Sequence, residues 1–141
     1  PASWVNNPDI IRLNDNMVSV NSALEIDLTG QINSEQIGDR PFSGTGGQLD
    51  FVRGAYAARN GRSFIALRST AQSGSVSRIV PRLLSGAVTD PRNDVQFVVT
   101  EYGCVNLKGL SIPQRAKALI QLACPEFREQ LEREATSLGW I

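Results

Sequence analysis

The sequence predicts an α/β fold in which an open, largely parallel sheet carries flanking helices and is followed by two C-terminal helices. Two patterns support this fold class: apolar residues alternate with polar residues at period two in some segments, and they recur at helical spacing in others. A chain of 141 residues is long enough for one globular core and too short for two ordinary domains. Residues 1–141 are therefore expected to form a single domain.

The first third of the chain predicts a short element followed by a hairpin. Residues 10–13 form a short element whose type the pattern leaves open. Residues 17–28 alternate apolar and polar side chains for much of their length, which predicts a strand. A turn at residues 29–31 and a return segment that starts at residues 32–33 would complete a hairpin. Residues 38–47 form a loop.

The middle of the chain predicts one amphipathic helix. It runs from residue 48 to about residue 59, because its apolar side chains fall on one stripe at helical spacing. Asn60-Gly61 ends the pattern as a plausible C-cap. A helix with one apolar stripe is expected to pack on a sheet.

Short apolar runs follow this helix and predict buried strands. Residues 63–67 form one run, and residues 95–100 form another that is rich in β-branched side chains. The interval between them holds a polar turn at residues 69–75 and a possible third strand at residues 76–80. Strands separated by a helix favour parallel pairing.

Two further helices are predicted at the end of the chain. Apolar residues recur at helical spacing after Pro113 and again after Pro125. Proline suits the first position of a helix, because its missing N–H would be unpaired there in any case. The charged residues of the last helix lie off its apolar stripe and form a solvated face.

The composition excludes several classes of function. Fourteen basic and fourteen acidic residues cancel, so no electrostatic surface for nucleic acid is expected. The chain has no histidine, which excludes Ser–His nucleophiles and histidine-ligated metal sites, and no metal is expected. Cys104 and Cys124 are expected to be free thiols.

The protein is expected to be cytoplasmic and to make no contact with a membrane. No apolar stretch reaches the roughly 18 residues that a membrane-spanning helix needs, and the N-terminus lacks the features of a signal peptide. The chain starts at Pro1 in what resembles sequence from the middle of a protein, so a fragment, a processed chain or a domain is expected.

A glycine-rich turn at the start of the predicted helix is the strongest local motif. Gly44, Gly46 and Gly47 let the backbone approach a ligand where a Cβ atom would intrude. Backbone amides at a helix N-terminus can hold a phosphate, a carboxylate or a developing oxyanion. The alternative is that the turn serves only to reverse the chain.

Four segments in order extend this pattern to most of the chain. They are residues 14–31, the glycine turn with its helix, Ser69-Thr70-Ala71 with residues 77–81, and residues 98–103. Together they resemble the C-terminal domain of the acetyl-CoA hydrolase and transferase family, most closely that of 4-hydroxybutyrate CoA-transferases. The resemblance extends from about residue 7 to residue 139.

The resemblance implies a CoA-transferase built from two similar open α/β domains with the active site between them. A glutamate attacks an acyl-CoA and gives a glutamyl-CoA thioester by way of an acyl anhydride. In the family this glutamate precedes the matching region, so it is expected to be absent here and the isolated chain is expected to be inactive.

The resemblance also implies the partners. They are an acyl-CoA, a small carboxylate of the 4-hydroxybutyrate or acetate type, and an N-terminal CoA-transferase domain, in a full-length protein that is a homo-oligomer. Coenzyme A is a substrate in this scheme. Two alternatives stay open: an acyl-CoA hydrolase of the same family, and a non-catalytic module that binds CoA, an acyl carrier or another protein.

The resemblance assigns catalytic roles to three residues. The backbone of Gly46 and Gly47 supplies an oxyanion hole and contacts the thioester end of CoA. Glu101, which follows an apolar strand, is a supporting carboxylate near the substrate, while the alternative is a structural role as an acceptor of backbone hydrogen bonds.

Six further residues are candidates for binding CoA or substrate. Asn21 binds substrate or CoA, unless it only satisfies a neighbouring turn. The turn at residues 69–75 lines the CoA channel, although Gln72 and Ser75 are neutral where related sequences often carry a lysine. Gly44, Gln48 and Ser69 are further candidates for CoA or substrate contacts. Arg68 lies where related sequences commonly have proline, and it offers a substitute cation unless phosphate binding is simply weaker. Arg78 is another candidate cation, unless it only pairs with a structural carboxylate.

Overall fold

The computed structural model describes residues 1–84 and 86–141. Five helices and eleven short strands make up this part of the chain. In chain order they are α1 (Ala2–Val5), α2 (Pro8–Ile11), β1 (Val18–Ser22), β2 (Glu25–Asp27), β3 (Ile32–Asn33), β4 (Gln36–Ile37), β5 (Arg40–Pro41), α3 (Gln48–Ala57), β6 (Arg62–Ala66), β7 (Thr70–Ala71), β8 (Val76–Ser77), β9 (Ile79–Val80), β10 (Phe97–Thr100), β11 (Gly103–Asn106), α4 (Ile112–Leu122) and α5 (Pro125–Ser137).

The central sheet has four strands in the order β1-β6-β10-β11. Strands β1, β6 and β10 are parallel, and β11 returns antiparallel to β10. Helix α3 packs on β6 and β1, helix α4 packs on β11, and α5 packs on α4. The predicted largely parallel sheet and the two C-terminal helices are confirmed. The sequence patterns did not indicate α1, β11 or the β4-β5 hairpin, and β5 lies within residues 38–47, which were predicted to be a loop.

A second, three-stranded sheet lies beside the first in the order β3-β2-β9. The predicted hairpin is present as β2 and β3, and β9 joins β2 in parallel. The single strand predicted over residues 17–28 is wrong, because β1 pairs with β6 only as far as Ser22. The Leu24 amide already donates to the Asn33 carbonyl at 2.9 Å, so the chain changes sheets between β1 and β2.

The strand predicted over residues 76–80 is also divided between two sheets. Strand β8 pairs with β7, whereas β9 pairs with β2. The Ser77 hydroxyl donates to the Ile79 carbonyl at 2.7 Å and accepts from the Ile79 amide at 3.2 Å, which bends the chain between the two strands. The polar turn predicted at residues 69–75 is the tip of the β7-β8 hairpin and contains a short 3₁₀ turn at Gln72–Gly74.

The first helices pack closely around a glycine. Residues 10–13, whose type was open, contribute to helix α2, and the Asn7 side chain caps that helix by accepting from the Asp9 amide at 2.9 Å. Helix α3 starts at Gln48, as predicted, and ends at Ala57, two residues before the predicted end. Its C-cap is Ala58 and not the predicted Asn60-Gly61. A Cβ atom on Gly54 would lie 2.5 Å from the Ile11 Cβ, so glycine permits the contact between α2 and α3.

The core lies between the two sheets and the helices α3 and α4. It is made by aliphatic side chains that are fully buried, among them Ile26, Leu28, Ile65, Val98 and Leu119. Cys104 and Cys124 are free thiols. Among residues 1–84 and 86–141, no helix is long and apolar enough to cross a bilayer.

Candidate functional site

The carboxyl edge of the central sheet collects several of the predicted site residues. Asn21 lies at the end of β1, Arg68 and Ser69 follow β6, and Glu101 follows β10. Because these three strands are parallel, their carboxyl ends meet at one edge of the sheet. Ligands of open α/β sheets bind at this edge.

The glycine turn lies at the same edge. Helix α3 packs on β1 and β6, and it leads from the glycine turn back to the start of β6. The Gln48 Nε2 donates to Ser34 Oγ at 2.8 Å, and the Ser34 hydroxyl donates to the Ser22 carbonyl at 3.2 Å. These two hydrogen bonds connect the first residue of α3 to the last residue of β1.

The backbone amides of the glycine turn are open. Within residues 1–84 and 86–141, the amides of residues 44–47 donate to no acceptor. Gly46 has a φ of +57° with open space around it, while a Cβ atom on Gly47 would lie 2.3 Å from Asn6 Nδ2. Gly47 is the N-cap of α3 and provides no capping side chain. The positive end of the helix dipole and free amides therefore point to a site that favours an anion.

Glu101 is held by Ser69 across the carboxyl ends of β6 and β10. Its Oε2 accepts from the Ser69 amide at 2.9 Å, and its Oε1 accepts from the Ser69 hydroxyl at 2.7 Å. Burial alone would raise the pKa of Glu101, but these hydrogen bonds and the nearby charge of Arg68 outweigh it and lower the pKa. Glu101 is therefore an ionised, exposed carboxylate in a shallow, open surface depression of about 350 Å³.

A second cleft of about 420 Å³ lies between the β4-β5 and β7-β8 hairpins. Apolar side chains such as Ile37 and Val76 line it, together with polar and charged side chains, namely Glu25, Gln36, Gln72, Ser77 and Arg78. The Arg78 amide donates to the Ser69 carbonyl at 2.8 Å. This hydrogen bond connects the second cleft to the residue that holds Glu101. Neither Arg68 nor Arg78 takes part in an ion pair in the described part of the chain.

Gln48 is not free to contact a ligand in the way that its sequence position suggests. Its Nε2 donates to Asp90 Oδ2 at 2.7 Å as well as to Ser34. Burial raises the pKa of Asp90, and the hydrogen bond from Gln48 opposes this effect. Ser34 and Asp90 were not predicted, because both lie in irregular segments that carry no motif.

Asn21 lies on the helix-covered side of β1. Its side chain is half-buried, and its Nδ2 has no hydrogen-bond partner in the described part of the chain. A buried amide without an acceptor is costly, so this group has hydrogen-bonding capacity that the described part of the chain does not use. No group of three or more carboxylate or thiol side chains that could hold a metal ion occurs in residues 1–84 and 86–141.

Comparisons with known proteins identify the family of this chain. Residues 1–135 match the model of the acetyl-CoA hydrolase/transferase C-terminal domain. The chain is 54% identical over 132 residues to a 4-hydroxybutyrate coenzyme A transferase of Clostridium kluyveri, which covers 93% of this chain and 31% of the relative. It is 33% identical over 129 residues to an acetyl-CoA hydrolase of Candida albicans, which covers 90% of this chain and 24% of that relative.

A solved structure has the same fold. The crystal structure of RipA from Yersinia pestis superposes with a TM-score of 0.93 at 55% identity, covering 98% of this chain and 31% of the other. The chain thus spans about a third of the length of the relatives that it matches.

Proposed function

The chain belongs to the acetyl-CoA hydrolase/transferase C-terminal domain family, and from this premise we propose that it is the C-terminal domain of a CoA-transferase. The whole protein moves CoA between an acyl-CoA and a short-chain carboxylate of the 4-hydroxybutyrate or acetate type. The relative from Clostridium kluyveri supports this substrate class. The nucleophilic glutamate belongs to the preceding part of the protein.

The open amides at the glycine turn are the observation that carries this proposal. When the glutamate attacks the thioester, the carbonyl oxygen becomes an oxyanion, and collapse of this intermediate expels CoA thiolate and leaves an acyl-glutamyl anhydride. The thiolate then attacks the glutamyl carbonyl, releases the acid and gives glutamyl-CoA. Each attack passes through an oxyanion, and one preorganised amide donor is worth roughly 3–4 kcal/mol in measured analogues.

In this scheme Glu101 holds other residues of the site in position. Both of its oxygens accept hydrogen bonds from Ser69, the residue that leads into the β7-β8 hairpin. Glu101 therefore fixes the start of the hairpin that lines the second cleft. This geometry supports a positioning role and argues against Glu101 as the nucleophile.

Contacts to CoA are assigned to the second cleft. Its apolar side chains suit the pantetheine arm, and Arg78 in its lining suits a phosphate. Arg68 lies in the lining of the surface depression beside Glu101 and is a second candidate for a phosphate contact. These arginines would replace the lysine that related sequences often place in the turn. Asn21 and the amide of Gly44 are available for contacts near the reacting end.

Acyl-CoA hydrolysis is the second candidate function. The acetyl-CoA hydrolase of Candida albicans, at 33% identity, favours it. Water would then attack the enzyme-bound intermediate in place of a carboxylate. One assay distinguishes the two activities. Added acetate raises the rate of CoA transfer by a transferase and leaves the rate of hydrolysis unchanged.

Trapping the intermediate in the full-length protein tests the proposal. We expect acyl-CoA followed by borohydride or hydroxylamine to modify one glutamate outside residues 1–141, as located by peptide mass spectrometry. A sample without acyl-CoA is the control. Modification of Glu101 would overturn the assignment of the nucleophile, and no modified glutamate at all would overturn the mechanism.

A further inference from the structure

One face of the central sheet exposes a row of apolar side chains. Val18 and Val20 on β1 are 54% and 66% exposed. The strand register aligns Val20 with Phe64 on β6 and Phe97 on β10. The two phenylalanine rings stack with centroids 4.9 Å apart, and both side chains remain half-exposed. We call this surface, formed by Val18, Val20, Phe64, Ala66, Phe97 and Val99, the open face.

The helices that contact the sheet lie on its other side. Side chains that alternate with those of the open face, such as Ser63, Ile65 and Val98, are at most 1% exposed. Helix α3 covers this side at β1 and β6, and α4 covers it at β11. Parallel sheets occur almost only where both faces are covered, so an uncovered face on parallel strands indicates a missing layer.

The free edge of β1 belongs to the same surface. In the described part of the chain β1 pairs with β6 alone, so the backbone groups along its other edge lack strand partners. Natural proteins usually protect an edge strand with charge, proline or a covering segment. Strand β1 has the sequence VSVNS, which carries neither charge nor proline. This edge accordingly needs a covering segment.

We propose that the open face and the free edge of β1 are the surface on which the preceding part of the same polypeptide packs. The matched family model is a C-terminal domain, and this chain covers only 31% of the Clostridium kluyveri relative, so most of such a protein lies outside these residues. The surface is uncharged apart from its margin at Arg62, which suits an intramolecular apolar contact.

This arrangement has a consequence for the active site. A segment that covers β1 lies beside Asn21 and the Ser22 carbonyl, which is connected to the glycine turn through Ser34. The preceding part of the chain is also where the nucleophilic glutamate is proposed to lie. The inference rests on the proposed two-domain protein, but its test does not depend on catalytic activity.

Thiol labelling at Val20 in the full-length protein tests the proposal. Val20→Cys is compared with Arg133→Cys, a control on the exposed side of α5 where the native side chain is 66% exposed. Modification by a maleimide is followed for each site by peptide mass spectrometry, so native cysteines do not interfere. We expect the Val20→Cys site to react at least about tenfold more slowly than the control, and equally fast in urea. Equal rates in the native protein would overturn the proposal.

A cross-linking experiment identifies what covers the surface. Val20 is replaced by p-benzoylphenylalanine in the full-length protein and irradiated. We expect a cross-link within one polypeptide to a peptide that precedes Pro1. A cross-link between two copies, or a labelling difference that disappears on dilution, would assign the surface to a second copy and overturn the proposal. The absence of any cross-link would also count against it.

Discussion

At Gly46 the backbone adopts a φ of +57°, a conformation that costs an L-residue about 1–2 kcal/mol. In the full-length protein we expect Gly46→Ala to lower kcat about a hundredfold, because the turn must shift and its amides leave the oxyanion. Gly109→Ala is the matched control, since Gly109 has a φ of +75° with open space around it and lies outside the site. Steady-state kinetics provide the measurement, and similar kcat values for both variants would remove the oxyanion role.

The interaction between Ser69 and Glu101 makes a prediction about pH. The folded-state pKa of Glu101 is depressed, so its ionised form stabilises the fold above its unfolded pKa, and this contribution is lost as the pH falls through the folded pKa. We expect Ser69→Ala to remove the 2.7 Å hydrogen bond and raise the pKa of Glu101 toward its ordinary value.

Carbon-13 NMR titration of the Glu101 carboxyl group measures this pKa. Ser75→Ala is the control, because the Ser75 hydroxyl donates only to the Gln72 carbonyl, at 2.8 Å. An unchanged Glu101 pKa in Ser69→Ala would mean that the hydroxyl contributes nothing to its ionisation.

Single residues differ in how far the sequence identifies them. The glycines of the turn are recognisable because few other residues tolerate such a backbone, and Glu101 because it follows an apolar strand. Ser34 and Asp90 carry no such signal, since their importance comes from hydrogen bonds to Gln48 that join segments far apart in the chain. No local pattern encodes such long-range contacts.

At the scale of elements, a buried arginine connects α4 to two loops. Arg115 is 7% exposed. Its Nη1 donates to the carbonyls of Thr29 at 3.1 Å and Arg92 at 2.8 Å, and its Nε donates to the Leu110 carbonyl at 3.2 Å. Hydrogen bonds from a charged donor are stronger than neutral ones, and buried carbonyls without partners are costly.

Arg115→Met keeps most of the side-chain volume and removes these donors. We expect it to lower the free energy of unfolding by about 3 kcal/mol, as measured by urea denaturation. Arg133→Met on the exposed face of α5 should cost about 0.5 kcal/mol or less, because it loses only a surface pair with Glu129. Equal losses in the two variants would contradict the role assigned to Arg115.

Helices were predicted more accurately than strands. Periodicity and proline positions locate α3, α4 and α5 to within a few residues, because a helix makes its hydrogen bonds within one segment. The period-two pattern over residues 17–28 continues through the point where the chain leaves one sheet for another. The alternation of apolar and polar residues indicates which side chains are buried. It does not indicate which neighbouring strand supplies the hydrogen bonds.

At the scale of the whole molecule, the domain has one covered and one uncovered sheet face. The glycine turn and Glu101 lie at the carboxyl edge of the central sheet, and the Arg78 amide connects the second cleft to Ser69 at the same edge. The isolated chain is expected to be inactive, because the proposed nucleophilic glutamate belongs to the preceding part of the protein.

The sequence by itself determined the fold class, the glycine turn at the start of a helix, and the resemblance to a CoA-transferase domain. These properties follow from local periodicity, from backbone conformations that few residues tolerate and from ordered motifs. The tertiary structure alone decided which strands share a sheet, that Gln48 binds Ser34 and Asp90, that Ser69 holds Glu101, and that one face is open. These depend on contacts between distant segments, and such contacts are set by packing of the whole chain.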